Sequence, residues 1–312
     1  MEERVRHNRT RRLRPGLLAV AATALIGVVS CAGPVPVGTA AGASGTAPTG
    51  TTAPTPQSSP KTWLPAPDER IPANATRLAA TLRKTTTALD AAIDEWDKKG
   101  QPPQDVELLA LYQQRIYRYA ARHPDLATRA FARLPAALAA QAEDNTRAIR
   151  ELLALARPIK PSAVFKVQPP RPAGELLGYF KKAERRFAVE WEVLAAVMFA
   201  ETKFGRVKSP SYVGAQGPMQ FMPATWRQYG MGGDVRDPHD AVMGAANYLR
   251  ATGAPRDYQR ALHAYNPSQA YVNAILAHSR QIKRDPRAYY AYYNWQVFVL
   301  TTAGERRLTG PK

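Results

Sequence analysis

Apolar residues recur at three- to four-residue spacing over most of the chain beyond residue 68, which is the period of amphipathic helices. One helical face, for example, carries Leu109, Tyr112, Ile116 and Tyr119. A proline pair precedes this helix, and proline-rich sequence returns at residues 158–172. The pattern predicts a helical accessory region over residues 63–157, followed by a proline-rich connector at 158–172.

A second helical region is predicted from residue 173 to residue 287. Its segment Val193–Ala200 contains no charged residue, which is typical of a helix buried on most of its circumference. Glu201 follows at helical spacing from Val197 and Met198, so its side chain is expected on the apolar face near the helix C-terminus. Burial and the negative end of the helix dipole both disfavour an ionised carboxylate there. By spacing alone, a solvated glutamate in a fraying last turn remains an equal alternative.

Local signals also predict where later helices begin. Pro223 suits the first turn of a helix, Asp237 precedes another proline, and Ser268 suits the N-cap of a helix that runs to about Lys283. The tyrosine-rich tail, residues 288–312, is expected to form a short strand or hairpin. The fold class predicted is therefore mainly α, with an N-terminal helical region and a short C-terminal strand or hairpin.

The N-terminus has the pattern of an export signal. Residues 1–14 are arginine-rich, and an uncharged segment of fifteen residues follows, shorter than the roughly 20 residues that a membrane-spanning helix needs. This combination predicts a signal peptide over residues 1–30. The only cysteine, Cys31, follows Val28-Val29-Ser30, and this arrangement resembles a bacterial lipobox. The alternative is an unmodified cysteine beside, or lost with, an ordinary cleavable signal.

Residues 31–62 form a candidate tether between Cys31 and the helical regions. They consist almost entirely of Ala, Gly, Pro, Ser and Thr, with no charge before Lys61, and such a composition buries too little apolar surface to order itself. Together with Cys31 it predicts an exported lipoprotein, anchored to the outer face of the cell membrane and facing the cell wall.

Composition narrows the possible functions. The single cysteine excludes an internal disulfide framework and a cysteine-built zinc site, and the five histidines form no close pair, so no metal or cofactor is predicted. Asp234, Asp237 and Asp240 are interpreted as capping residues, because Arg236 and Pro238 stand where a calcium loop needs oxygen ligands. The net charge of +18 suits an anionic cell-wall setting, and no nucleic-acid motif accompanies it.

Three short blocks carry a family resemblance. They are Glu201-Thr202, the glycine-containing block Gly214–Pro223, and Ala264-Tyr265-Asn266. In this order and spacing they resemble the peptidoglycan lytic transglycosylases of bacteria, both the soluble type and the membrane-bound type B, whose domain is similar to goose-type lysozyme. The resemblance covers about residues 173–285. Thr202 departs from the serine that is commoner at its position.

The resemblance implies an enzyme that cleaves the bond between N-acetylmuramate and N-acetylglucosamine and leaves 1,6-anhydromuramate ends. Glu201 would act as the acid and then as the base, without a cofactor, and no convincing second carboxylate stands near it in the sequence. A lysozyme-like hydrolase remains open, and so does a non-catalytic cell-wall-binding lipoprotein in which Thr202 marks decay.

The same resemblance implies supporting roles for five residues. The candidate substrate-binding residues are Ser211, Met219, Gln220, Tyr265 and Asn266. Ser211 and Gln220 would hydrogen-bond the sugar or Glu201, the backbone at Met219 would line the cleavage site, Tyr265 would contact the sugar, and Asn266 would help to fix the geometry. Taken singly, Tyr265 could be a core residue, Asn266 a helix end and Gln220 a turn residue.

Overall fold

The computed structural model describes residues 63–312, which form eleven helices and one two-stranded sheet. The helices before the connector are α1 (Ala75–Glu95), α2 (Gln104–Arg122), α3 (Pro124–Phe131) and α4 (Ala136–Leu155). Those after it are α5 (Ala173–Phe187), α6 (Trp191–Thr202), α7 (Pro223–Tyr229), α8 (Pro238–Thr252), α9 (Tyr258–Tyr265), α10 (Gln269–Arg284) and α11 (Arg287–Asn294). The mainly α fold class is confirmed.

Capping side chains place several of these helix starts. The Asp237 carboxylate accepts a hydrogen bond from the Asp240 amide (3.0 Å), with Pro238 in the first turn of α8. The Ser268 hydroxyl accepts from the Tyr271 amide (3.4 Å) at the start of α10. Because such bonds satisfy amides that the helix itself leaves free, these starts follow from local sequence, and both predictions are confirmed.

One hydrophobic core runs through both predicted helical regions. Helix α4 packs along α10, and α2 packs against α4 and α11. Leu109 and Ile116 of α2 are as fully buried as Leu194 of α6 and Ile275 of α10. Since each buried aliphatic side chain stabilises the fold by about 1.5–3 kcal/mol, the accessory helices and the region from residue 173 are stabilised together.

The tyrosine-rich stretch is helical, which corrects the expectation of a strand beginning at residue 288. Tyr289, Tyr292 and Tyr293 lie on one side of α11, are almost fully buried, and pack around Phe199 and Phe204. Aromatic residues favour strands in isolation, but their spacing of three and four residues suits a helix whose one face completes the core. Tertiary packing therefore decides this element.

The expected C-terminal hairpin does form, later in the chain. Strand β1 (Phe298–Thr301) pairs antiparallel with β2 (Gly304–Arg307). The connector joins this hairpin, because the Ile159 amide donates to the Leu300 carbonyl (3.0 Å) and the Thr302 amide to the Ile159 carbonyl (2.9 Å). Glu305 forms salt bridges with Arg118 and Arg122 of α2. The end of the chain is thus fastened to the accessory helices.

The predicted signal peptide, Cys31 and the linker lie outside the described residues. None of the helices between residues 63 and 312 combines the length and hydrophobicity that a bilayer crossing requires.

Candidate active site

Glu201 lies in the last turn of α6, the most hydrophobic helix of the fold. Every residue of this helix from Val193 to Thr202 is buried, and Glu201 is only 4% exposed. The helix ends because Lys203 (φ 52°) and Phe204 (φ 59°) adopt the left-handed conformation, followed by Gly205. The carboxyl group is therefore held inside the molecule at a rigid position.

Burial raises the pKa of Glu201 to about 8, and two neighbours partly oppose it. The Tyr271 phenol faces the carboxyl and lowers its pKa as a hydrogen-bonding partner, and the Lys203 charge lowers it further. The Tyr271 hydroxyl is buried and forms no well-aligned hydrogen bond with any group in residues 63–312, so its contact with the Glu201 carboxyl is a weak one. The carboxyl group therefore carries its proton at neutral pH and has partners for its ionised form.

Thr202 joins α6 to the block that contains Met219. Its hydroxyl donates to the Pro218 carbonyl (2.6 Å) and accepts from the Gly205 amide (2.9 Å). Threonine thus supplies a hydroxyl at the position where serine is commoner, and this hydroxyl is fully used in positioning the loop next to Glu201.

The Gly217–Gln220 segment is a tight turn. Gly217 has φ +73°, and a Cβ there would come 1.8 Å from the Val235 carbonyl oxygen, so no side chain fits. Gln220 also has positive φ (50°), and its side-chain amide donates to the Gly217 carbonyl (2.9 Å). The Gln220 Oε1 atom is buried and has no hydrogen-bond partner within residues 63–312. It can therefore accept a hydrogen bond from a bound group.

Tyr265 connects this turn to α9. Its hydroxyl donates to the Met219 carbonyl (2.6 Å), and its ring packs against Phe221 and Tyr248. The charge of Glu201 raises the pKa of Tyr265, second to burial. Asn266 follows as the buried C-cap of α9. The structure therefore places Met219, Gln220 and Tyr265 beside the end of α6, although none of these three lines the cavity that Glu201 borders.

Ser211 has a different environment. Its hydroxyl accepts a hydrogen bond from the Ala215 amide (2.9 Å), and its own amide donates to the Ala215 carbonyl (2.9 Å). Its side chain is buried, and these two bonds stabilise the loop before Gly217.

Glu201 lines a cavity of about 90 Å³ whose other walls come from distant parts of the chain. Helices α2 and α4 and the C-terminal hairpin contribute the walls, and Glu201 is the only carboxylic acid among the lining residues. The other lining side chains with ionisable groups are Arg118, Lys203 and His278. Burial, then the charge of Arg118, lowers the pKa of Lys203 to about 7. Sequence reasoning missed Lys203 and Tyr271, since neither contact follows from local spacing.

A larger cleft, of about 760 Å³, lies between the connector and the segments around Pro210, Pro218 and Arg236. It reaches the residues just before Met219 but is not lined by Glu201.

Asp237, His239 and Asp240 form the one cluster of potential metal ligands within residues 63–312. These groups already serve other contacts, because Asp237 caps α8 and His239 lies 3.0 Å from both Asp240 and Lys182. The cluster is partly exposed, does not line the Glu201 cavity, and is explained by capping.

Comparison with known proteins identifies part of the chain. Residues 178–287, just over a third of the sequence, match the family model described as "Transglycosylase SLT domain". The match includes α6, the turn at Gln220, and helices α8 to α10. No solved structure matches the chain.

Proposed function

We propose that this chain, whose residues 178–287 are a transglycosylase SLT domain of the lysozyme-like lytic transglycosylase family, cleaves peptidoglycan and leaves 1,6-anhydromuramate ends. One observation supports the finer assignment above the others. Burial raises the pKa of Glu201 to about 8, and among the residues that the structure describes no second carboxylic acid lines its cavity. A single acid that serves twice fits such a site better than the paired carboxylates of most glycoside hydrolases.

The reaction needs one proton to be delivered and one to be removed. Glu201 donates its proton to the glycosidic oxygen as the bond from muramate C1 breaks, and the substrate's acetamido group stabilises the positive charge at C1. The Glu201 carboxylate then removes the proton of the muramate C6 hydroxyl. The oxygen of this hydroxyl bonds to muramate C1 and closes the 1,6-anhydro ring. The glutamate ends in its starting form, and no water is consumed.

The neighbours of Glu201 suit both halves of this cycle. Burial favours the protonated acid, while the Tyr271 phenol and the Lys203 charge stabilise the carboxylate that exists between the two proton transfers. A pKa near the working pH is the condition under which one group serves as both acid and base.

We assign the substrate-binding roles around this acid as follows. The free Oε1 of Gln220 accepts a hydrogen bond from the sugar, and the backbone at Met219 lines the cleavage site. Tyr265 contacts the sugar beside Glu201, and Asn266 fixes the end of α9. Ser211 stabilises its loop by accepting from the Ala215 amide, and its hydroxyl proton can still be donated to the sugar or to Glu201.

The decisive experiment is mass spectrometry of the fragments released from purified peptidoglycan by residues 63–312. Anhydro ends are lighter than reducing ends by one water, so reducing ends would instead indicate a lysozyme-like hydrolase. Glu201→Gln should lower the rate about 10²–10⁴-fold, because it removes the acid and base. Glu192→Gln, on the first turn of the same helix, is the matched control and should keep the parent rate. Absence of any cleavage by the parent protein would support a non-catalytic wall-binding role.

We further propose that the protein is exported and held at the outer face of the cell membrane by a lipid on Cys31. The apolar segment before Cys31 and the uncharged linker after it support this placement. Cys31→Ala should move the full-length protein from the membrane fraction to the medium. Retention of this variant in the membrane fraction would contradict the lipid anchor.

A further inference from the structure

Arg157 and Tyr212 form an exposed contact between the segment that borders the Glu201 cavity at Ala156 and the loop that precedes the turn at Gln220. The Arg157 guanidinium lies 5.1 Å from the centroid of the Tyr212 ring, and Tyr212 keeps 44% of its surface exposed. Neither residue belongs to the blocks that resemble the family, and the proposed reaction uses neither.

The backbone places Arg157 at the edge of the cavity. The preceding residue, Ala156, lines the cavity together with Glu201. Two residues later, the Ile159 amide donates to the carbonyl of Leu300, which also lines the cavity. Since neighbouring Cα atoms are only about 3.8 Å apart, Arg157 is fixed on both sides to the cavity wall.

Tyr212 projects from the loop that precedes the turn at Gln220. The two hydrogen bonds between Ser211 and Ala215 close the base of this loop. A few residues later, the Pro218 carbonyl accepts a hydrogen bond from the hydroxyl of Thr202, the residue after Glu201. The loop that presents Tyr212 is therefore tied to the end of α6.

The Arg157 guanidinium is held in place but its donors are free. Within residues 63–312 its only interaction is the contact with the Tyr212 ring. An aromatic ring orients the plane of a guanidinium and leaves its N–H edge open, and this edge matches a carboxylate through two parallel hydrogen bonds. N-acetylglucosamine offers no such charged partner, and the lactyl carboxylate of muramate loses its charge where it forms the amide bond to a peptide stem.

We propose that Arg157, oriented by Tyr212, binds a carboxylate of the peptide stem that peptidoglycan carries on its muramate. This inference rests on the proposed function. The stem is attached to the muramate ring, one of the two sugars joined by the bond that Glu201 cleaves, so its carboxylates remain close to the cavity edge. The pair therefore makes the site specific for glycan that still carries peptide.

Kinetics on two matched substrates test this specificity. The substrates are a defined tetrasaccharide with peptide stems and the same tetrasaccharide with its muramate lactyl groups capped as primary amides, so that no lactyl carboxylate replaces the stem carboxylates. For the parent, kcat/KM should be higher on the peptide-bearing substrate. Arg157→Ala and Tyr212→Ala should reduce this preference about tenfold, mainly through KM, because charged hydrogen bonds of this strength are lost. Tyr212→Phe keeps the aromatic ring and should keep the preference. Arg157→Lys keeps the positive charge but loses the paired N–H donors of the guanidinium, so its preference should lie between those of the parent and Arg157→Ala.

Arg83→Ala is the matched control for charge, because Arg83 is an exposed arginine on α1 with no partner of its own within the described residues. It should leave the preference as in the parent. A parent without preference, or an Arg157→Ala protein that loses equal activity on both substrates, would overturn the proposal.

A binding measurement separates this proposal from the proposed function. In the Glu201→Gln background, calorimetry should show tighter binding of the disaccharide with its peptide than of the disaccharide whose lactyl group is capped as an amide, and Arg157→Ala should abolish the difference. If the parent cleaves nothing, the proposed function fails while this binding difference still supports the subsite. Equal binding of the two disaccharides would overturn the subsite whatever the enzymatic result.

Discussion

Glu201 and Lys203 are two buried ionisable groups whose pKa values are shifted in opposite directions. Burial raises that of Glu201 to about 8 and lowers that of Lys203 to about 7. Burial disfavours the charged form of each group, while the charge of each favours the ionised form of the other. The positive charges of Arg118 and Arg206 also lower the pKa of Lys203, and the Lys203 charge lowers that of His278.

This pair predicts a characteristic pH dependence of stability. From the ordinary glutamate pKa of 4.5 up to about 8, the folded chain keeps the Glu201 proton while the unfolded chain has lost it. Stability contributed by this group therefore falls as the pH rises through that window, and levels off above it. Lys203 acts oppositely, because its lowered pKa makes stability rise from about pH 7 to 10.5.

Glu201→Gln isolates the first effect. Relative to the parent, its free energy of unfolding should increase from pH 5 to pH 8, by up to about 1.4 kcal/mol per pH unit, and then stay level. Urea unfolding across this range measures the difference. Glu95→Gln, at the exposed end of α1, serves as the control and should show no such slope. If the free energy of unfolding of Glu201→Gln differed from that of the parent by the same amount at every pH, the pKa of the buried Glu201 carboxyl would not be raised by folding.

At the level of elements, the end of α6 and the turn at Gln220 behave as one unit. A single hydroxyl, that of Thr202, bonds both the Gly205 amide and the Pro218 carbonyl. Met219, directly after Pro218, is in turn bonded through its carbonyl to Tyr265 of α9. The position of Glu201 relative to the loop therefore depends on one small side chain.

Thr202→Val should weaken the link between α6 and the turn at Gln220, because valine has nearly the shape of threonine but no hydroxyl. It leaves a buried amide and a buried carbonyl without the hydroxyl, which costs about 1–3 kcal/mol of stability, and the cleavage rate should fall because the loop loses its anchor. Thr202→Ser keeps the hydroxyl and should lie much closer to the parent in both respects. Thermal unfolding and product release measure the two quantities. Equal behaviour of the two variants would mean that the hydroxyl does not position the loop.

Across the whole molecule, the C-terminal hairpin fastens to the accessory helices and closes the wall around Glu201. Glu305 on β2 pairs with Arg118 and Arg122 of α2, and Arg118 itself lines the cavity. Burial raises the pKa of Glu305, but the two arginines outweigh burial and lower it overall. The predicted accessory region thus forms part of the wall of the Glu201 cavity.

Glu305→Gln should therefore destabilise the fold as a whole. It leaves the largely buried Arg118 without its counter-charge, which costs about 3–5 kcal/mol for pairs of this kind. Urea unfolding measures the loss, and the cleavage rate should fall with it as the cavity wall loosens. Glu143→Gln, on the exposed side of α4, removes the same charge from a residue that forms no ion pair within residues 63–312, and it should change stability little. A loss no larger than that of this control would show that the hairpin contact is not stabilising.

Much of the fold was predictable because its signals are local. Proline in a first turn and an N-cap side chain determine where α8 and α10 begin. The uncharged run before Glu201 likewise indicated a buried helix that ends in an acid, and the order of the three short blocks indicated the family that residues 178–287 match. These features depend on backbone hydrogen bonding and on the period of the helix, both of which act within a few residues.

Only the tertiary structure determines which groups surround Glu201 and the tyrosine-rich stretch. The tyrosine-rich stretch became a helix because a core face needed covering, and Tyr271 and Lys203 became partners of Glu201 through folding. The cavity wall comes from α2, α4 and the hairpin, which are far apart in the chain. Burial, and with it the pKa of Glu201, is a property of the groups that surround a side chain in space, and no pattern of neighbours along the sequence specifies which groups those are.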